Sequence, residues 1–132
     1  AESIVQALSA EGVEVVPYNL LGADIKHILS DLIDSSAIVI GSPTLVNGAH
    51  PLAVQAAQII QAYKPRARIV GIFGSYGWGR GAVAQIKDML QKAGSEIVET
   101  LEVRGKPKKE DLEMAAALGK HVAQKVKESL KA

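Results

Sequence analysis

Two glycine-rich segments concentrate the residues of this sequence that could bind a small molecule. The first, "GSPTLVNGAH" at 41–50, follows the apolar run "AIVI", and the second, "GSYGWGRGA" at 74–82, follows "RIVGIF". We call them the proline segment and the aromatic segment. The proline segment offers hydroxyl and amide groups, and the aromatic segment adds the rings of Tyr76 and Trp78. Because glycine lets a backbone approach a ligand closely, and rings stack with about 0.5–1.5 kcal/mol beyond area burial, the two segments predict a planar heteroaromatic ligand.

The elements that must position these segments alternate along the chain. Apolar spacing predicts helices over 2–10, 24–34, 51–63, 80–93 and 109–131, and strands over 13–18, 37–40, 68–74 and 96–103. Strict alternation indicates parallel strands joined by right-handed helical crossovers, and therefore one doubly wound α/β domain over residues 1–132. Such sheets bind ligands beyond the carboxyl ends of their strands, where both segments fall.

The composition narrows the class of protein. The chain has 132 residues, a net charge of +1 and no cysteine, which excludes disulfides, thiolate nucleophiles, iron–sulfur clusters and cysteine zinc sites. No run reaches the roughly 20 apolar residues of a membrane span, and no signal peptide opens the chain. We therefore expect a cytoplasmic domain with no membrane partner and no nucleic-acid partner.

No catalytic or metal constellation is evident. The three histidines, His27, His50 and His121, fall on separate predicted elements, so we expect no metal site and no catalytic triad. His50 adjoins the proline segment and is a candidate ligand contact. A phosphoryl-receiver domain would need an aspartate after the strand 37–40, where Gly41 and Ser42 stand instead.

The two segments resemble the flavin-binding loops of a known family. "GSPTLVNG" and "FGSYGWGRGA" are similar to loops in the flavodoxin-like domain of flavodiiron proteins, also called A-type flavoproteins. The resemblance runs from Ala1 to the final helix and includes "DLIDSSAIVIGSPT" and the helix ending from Leu90 to Gly94. The Ser-Tyr-Gly-Trp sequence is its most specific part. The resemblance implies a flavodoxin-like parallel sheet and one non-covalent FMN.

The resemblance also implies which residues flank the flavin ring. One wall would be Ser42, Pro43, Thr44, Leu45, Asn47 and Gly48, and the other would be Ser75, Tyr76, Gly77, Trp78 and Gly79. The family commonly carries two asparagines before the glycine. Val46 replaces the first of them here, so one polar contact to the ring edge is expected to be missing.

The number of predicted strands departs from the fold that the family implies. A flavodoxin-like sheet has five parallel strands in the order 2-1-3-4-5, and the sequence predicts four. The first strand and its phosphate loop are therefore expected to precede Ala1, which would make the domain N-terminally incomplete. Because parallel neighbours lie about 4.8 Å apart, the sheet could not close over a missing central strand.

Three functional hypotheses remain open. The first is an FMN electron-transfer module, an oxidoreductase component that takes electrons from a rubredoxin-, coenzyme F420- or NAD(P)H-linked donor. It would deliver them to a diiron oxygen or nitric oxide reductase centre on a partner domain or subunit, and a homo-oligomer is compatible with it. The second is an NAD(P)H-dependent FMN or quinone reductase, which fast reduction by NADPH would favour. The third is an interaction domain without cofactor, which a colourless protein that ignores FMN would favour.

Overall fold

The structure, a computed structural model, describes residues 2–20, 22, 25–45, 48–63, 69–76 and 81–131. Within these ranges the chain forms five helices and four strands. In chain order they are α1 (Glu2–Ala10), α2 (Ile25–Asp34), β1 (Ala37–Leu45), β2 (Gly48–Ala49), α3 (Pro51–Tyr63), β3 (Ile69–Tyr76), α4 (Ala82–Lys92), β4 (Glu96–Arg104) and α5 (Lys109–Lys131). None of the described helices is both long and apolar enough to cross a lipid bilayer.

The four strands form one sheet in the order β2-β1-β3-β4. β1 and β3 are parallel and in register from Ala37 opposite Ile69 to Pro43 opposite Ser75. β3 and β4 are also parallel, and a register shift interrupts their pairing between Val70 and Gly71. The predicted doubly wound parallel sheet is therefore confirmed, with the strands that carry the two glycine-rich segments lying side by side.

Helices cover both faces of this sheet because its strands are apolar on both sides. Val70 and Ile72 of β3 pack with Ile86 of α4 on one face, in a cluster that also includes α3. On the other face, Ile69 packs with residues of α1 and α5 such as Leu118. Each such buried side chain contributes about 1.5–3 kcal/mol, so the two clusters fix the strand ends that carry the site.

The strand predicted over 13–18 is absent from the described sheet. Val13 and Val15 pack against the α1–α5 cluster, but Val16 and Tyr18 are 55% and 37% exposed. Burial alternates over 13–16 and then stops, since residues 16–18 are all exposed, and the backbone pairs with no described strand. The physical reason is that a strand satisfies its backbone only through a neighbouring strand, and no described residue supplies one here.

β1 is longer than predicted and carries half of the proline segment within the sheet. Gly41 makes this extension possible, because a Cβ at that position would lie 2.2 Å from the ring of Phe73 on the neighbouring strand. Pro43 has no N–H to donate and is tolerated where one side of a strand is unpaired. Among the described residues, β1 has β3 on one side and only the two-residue β2 on the other.

Candidate functional site at the carboxyl edge of the sheet

The proline segment turns back on itself as a short hairpin. Leu45 pairs with Gly48 and Thr44 with Ala49 in antiparallel register, which makes β2 only two residues long. So short a strand with one neighbour is marginally stable in water. Contacts from other parts of the chain must therefore hold the segment in place.

Two side chains inside the segment provide part of that support. The backbone N–H of His50 donates to Ser42 Oγ at 2.8 Å, and Ser42 is only 5% exposed. His50 Nδ1 in turn accepts the backbone N–H of Leu52 at 3.1 Å, in the first turn of α3. An acceptor at that place satisfies one of the N–H groups that every helix start leaves unpaired. Ser42 and His50 therefore shape the backbone of the proline segment.

Two further hydrogen bonds connect the proline segment to α4, the helix that follows the aromatic segment. Thr44 Oγ1 accepts the backbone N–H of Ala82 at 3.3 Å. Gln85 Oε1 accepts the backbone N–H of Ala49 at 2.8 Å. The role of Gln85 could not be predicted from the sequence, because a polar residue on the exposed side of a helix does not indicate which distant residue it will contact.

The described part of the aromatic segment continues the same edge. Ser75 and Tyr76, both partly buried, end β3, and the N–H of Gly105 donates to the carbonyl of Tyr76 at 2.8 Å. Gly74 permits the close approach of β1 and α4, because a Cβ there would lie 2.8 Å from the carbonyl oxygen of Ser42 and 3.0 Å from Val83 Cγ2. The strand end is therefore held from both sides.

The structure brings together those predicted site residues that it describes. The backbones of Pro43 and Leu45 lie in β1 with Ser42 and Thr44, Gly48 lies in β2, and Ser75 and Tyr76 end the adjacent β3. Four predicted site residues, Asn47, Gly77, Trp78 and Gly79, lie outside the described residues. The role of each residue toward a ligand stays a prediction.

The described residues fit the ring of a flavin better than its phosphate. Small residues and backbone form the edge beside the partly buried Tyr76, as a flat ring requires. In contrast, the described residues of the two segments include no lysine or arginine that could face a phosphate. The arrangement can therefore position a planar ring, and the residues that would hold a phosphate are not among those of these segments that the structure describes.

Acidic and histidine side chains do not assemble into a metal centre within the described ranges, where no group of three or more potential ligands occurs. His27 is exposed on α2. His121 Nδ1 lies 3.0 Å from Glu99 Oε2, and both side chains are more than a third exposed. An exposed pair of this kind contributes about 0–1 kcal/mol to stability.

Comparisons with known proteins point to one family. The family model described as flavodoxin matches residues 1–119. The coenzyme F420H(2) oxidase of Methanocaldococcus jannaschii is 30% identical over 132 residues, covering 97% of this chain and 32% of that protein. The chain thus spans about a third of the length of such curated relatives.

Solved structures agree. The metal-soaked flavodiiron core from Synechocystis is 27% identical with a TM-score of 0.91, covering 97% of this chain and 32% of that one. The rubredoxin oxygen:oxidoreductase of Desulfovibrio gigas is 26% identical with a TM-score of 0.94, covering 99% of this chain and 33% of that one. The predicted resemblance to the flavodoxin-like domain of flavodiiron proteins is confirmed.

Proposed function

The chain belongs to the flavodoxin family, and from this premise we propose that it is an FMN-binding electron-transfer module acting in the cytoplasm. It would accept electrons from a donor and pass them to a diiron centre on another domain or subunit. Reduction of oxygen or nitric oxide would take place at that centre.

The main observation in support of the proposal is that the described parts of the proline segment and the aromatic segment lie side by side at one edge of the sheet. Pro43 and Ser75 are opposite each other in parallel register, and the hydrogen bond from the Ala82 amide to Thr44 ties β1 to α4. The edge lies beyond the carboxyl ends of the strands, where sheets of this class bind ligands. These contacts support a preformed site for a flat cofactor.

FMN, when bound, supplies the one- and two-electron redox chemistry, while the protein supplies position and electrostatics. The backbone of the proline segment would hold the polar edge of the ring. Tyr76 and Trp78 would stack on it or lie beside it and exclude water.

The partners that we propose are suggested by the names of similar proteins. One name includes coenzyme F420H(2), a redox cofactor, and another includes rubredoxin, a redox protein. A third is a flavodiiron core, of which this chain covers about a third, 32%. We therefore propose a rubredoxin-, F420- or NAD(P)H-linked donor and a diiron acceptor.

Fluorescence of Trp78, the one tryptophan of the chain, tests cofactor binding directly. FMN added to cofactor-free protein should quench it, since the ring would lie next to that side chain. Tyr76→Ala should weaken FMN binding by about 1–3 kcal/mol, roughly 5–150-fold, because it removes aromatic burial. Tyr18→Phe, at an exposed tyrosine, is the matched control and should leave the affinity unchanged.

Absence of FMN binding by the parent protein would refute the proposed function. An affinity equal in Tyr76→Ala and the parent would remove this ring from the site. Fast reduction of the bound flavin by NADPH in a stopped-flow experiment would instead indicate an NAD(P)H-dependent reductase.

A further inference from the structure

We propose that Gln85 is a positioning residue that holds β2 of the proline segment in place at Ala49 before the cofactor arrives. The proposal rests on the proposed function for the identity of the cofactor. It concerns the bond between Gln85 Oε1 and the backbone N–H of Ala49, whose length is 2.8 Å.

The Ala49 amide needs a partner at this place. Ala49 is only 9% exposed, so its N–H is largely removed from water. Leaving a buried donor unsatisfied destabilises the fold, because its lost hydration is not replaced. The hairpin itself is two residue pairs long and cannot supply that stability alone. A side chain from outside the hairpin therefore determines where Ala49 lies.

The backbone of α4 that carries the Gln85 side chain is held in place by helical hydrogen bonds and by core packing. The N–H of Gln85 donates to the carbonyl of Gly81 at 3.0 Å, in the first turn of the helix. Ala82, Val83 and Ile86 are buried against the sheet, whereas Gln85 itself is exposed. Replacing Gln85 should therefore remove one hydrogen bond and leave the packing of the core unchanged.

The same helix begins at the end of the aromatic segment. Two residues of the proline segment bind α4 one turn apart: Thr44 through the Ala82 amide and Ala49 through the Gln85 side chain. These two bonds fix the described ends of the hairpin, at Thr44 and Ala49, to the start of α4. Backbone that is already held in its bound shape loses less conformational freedom when a ligand binds, which raises affinity.

Three variants test the proposal. Gln85→Met keeps the length of the side chain but has no carboxamide oxygen, and Gln85→Glu keeps an acceptor oxygen. Gln91→Met, at an exposed glutamine of the same helix, is the matched control. Amide hydrogen exchange of Ala49 is measured by NMR in cofactor-free protein. FMN and riboflavin are both titrated, because neutral riboflavin separates loop shape from the new charge of the Gln85→Glu carboxylate.

In Gln85→Met, the Ala49 amide should exchange at least about tenfold faster, and both flavins should bind about five- to twentyfold more weakly. Gln85→Glu should restore the exchange rate and riboflavin affinity to within about threefold of the parent, and Gln91→Met should change neither. Faster exchange with unchanged flavin affinity would overturn the proposal, as would an unchanged exchange rate. If the parent binds no flavin at all, the proposed function fails, and the Ala49 exchange rate still decides whether Gln85 holds the segment.

Discussion

At the scale of single residues, Tyr18 shows how a side chain fastens a backbone segment that has no strand partner. Its hydroxyl donates to the Asp31 carboxylate and also lies 3.2 Å from the carbonyl of His27, both in α2. The hydrogen bond to Asp31, together with desolvation and the negative charge of that carboxylate, raises the pKa of Tyr18 above its ordinary value of 10.0. The end of the 13–18 segment is thereby attached to α2.

The sign of this shift gives a pH prediction. The pKa of Tyr18 is higher in the folded protein than in the unfolded chain, where it is about 10.0. The protonated phenol therefore stabilises the fold, fully at pH values below the unfolded pKa. This stabilisation is lost as the pH rises through the folded pKa. The phenolate band of Tyr18, obtained as the difference between parent and Tyr18→Phe, should therefore appear at higher pH than in a model peptide. Asp31→Asn should lower the titration midpoint. The same midpoint in parent and Asp31→Asn would show that this hydrogen bond does not form in solution.

Residue types in the proline segment predict a ligand-binding edge but do not reveal the hydrogen-bond partner of each side chain. The resemblance implies that Ser42 is part of a flavin wall, and in the structure its hydroxyl accepts the His50 amide. Gln85 and Ala49 are 36 residues apart in the chain, so only the folded structure brings them together. Local sequence indicates the backbone conformation of a segment and the small size of its side chains. Hydrogen bonds between elements that are distant in the chain depend instead on how the helices pack.

At the scale of elements, the contact between α1 and α5 depends on one glycine. A Cβ at Gly119 would lie 2.9 Å from the Ala7 Cβ and 2.9 Å from the backbone oxygen of Ile4. Both neighbours belong to α1, and a backbone atom cannot rotate away as a flexible side chain can. The two helices are therefore as close here as a hydrogen at that position allows.

Gly119→Ala should consequently destabilise the protein. Overpacking costs about 1–3 kcal/mol, with the upper part of that range expected against a backbone oxygen, and replacing a glycine inside a helix gains about 1 kcal/mol, so the net loss should be up to about 2 kcal/mol. Gly119→Leu should cost more, and Lys120→Ala, an exposed position on the same helix, serves as the control. Urea denaturation measures the free energy of unfolding. A Gly119→Ala protein as stable as the parent would mean that α1 shifts away from α5 without cost.

Elements with strong local patterns were predicted well. The third helix was predicted over 51–63 and forms there, as Pro51–Tyr63, because Pro51 suits a first turn and the apolar spacing is helical. The strand predicted over 13–18 has equally apolar residues but no ladder. A helix satisfies its backbone hydrogen bonds internally, whereas a strand needs a neighbouring strand. The apolar pattern of 13–18 alone could therefore not decide whether that segment pairs in a sheet.

At the scale of the whole molecule, the two segments at the sheet edge contain no aspartate or glutamate, and the nearest acidic group in register comes from β4. Glu102 pairs with Gly74 of β3. Because Leu101 and Val103 pack on the α5 face, alternation places Glu102 on the α4 face. Its Oε2 is buried and, among the described residues, has no hydrogen-bond partner. The fold thus brings a carboxylate of the neighbouring strand β4 close to the end of β3.

We expect this carboxylate to lower the potential of a bound FMN, because a negative charge nearby disfavours the anionic hydroquinone. Glu102→Gln keeps the shape of the side chain and removes the charge, so it should raise the hydroquinone couple by roughly 20–60 mV, where 1.4 kcal/mol corresponds to about 59 mV for one electron. Glu99→Gln is the matched control, since Glu99 lies on the same strand but contacts His121 of α5. Solvent and salt screen such effects, so the difference between the two variants should shrink as ionic strength rises. A spectroelectrochemical titration in which the couple of Glu102→Gln stays at the parent value, or falls, would show that this carboxylate lies too far from the flavin to influence it.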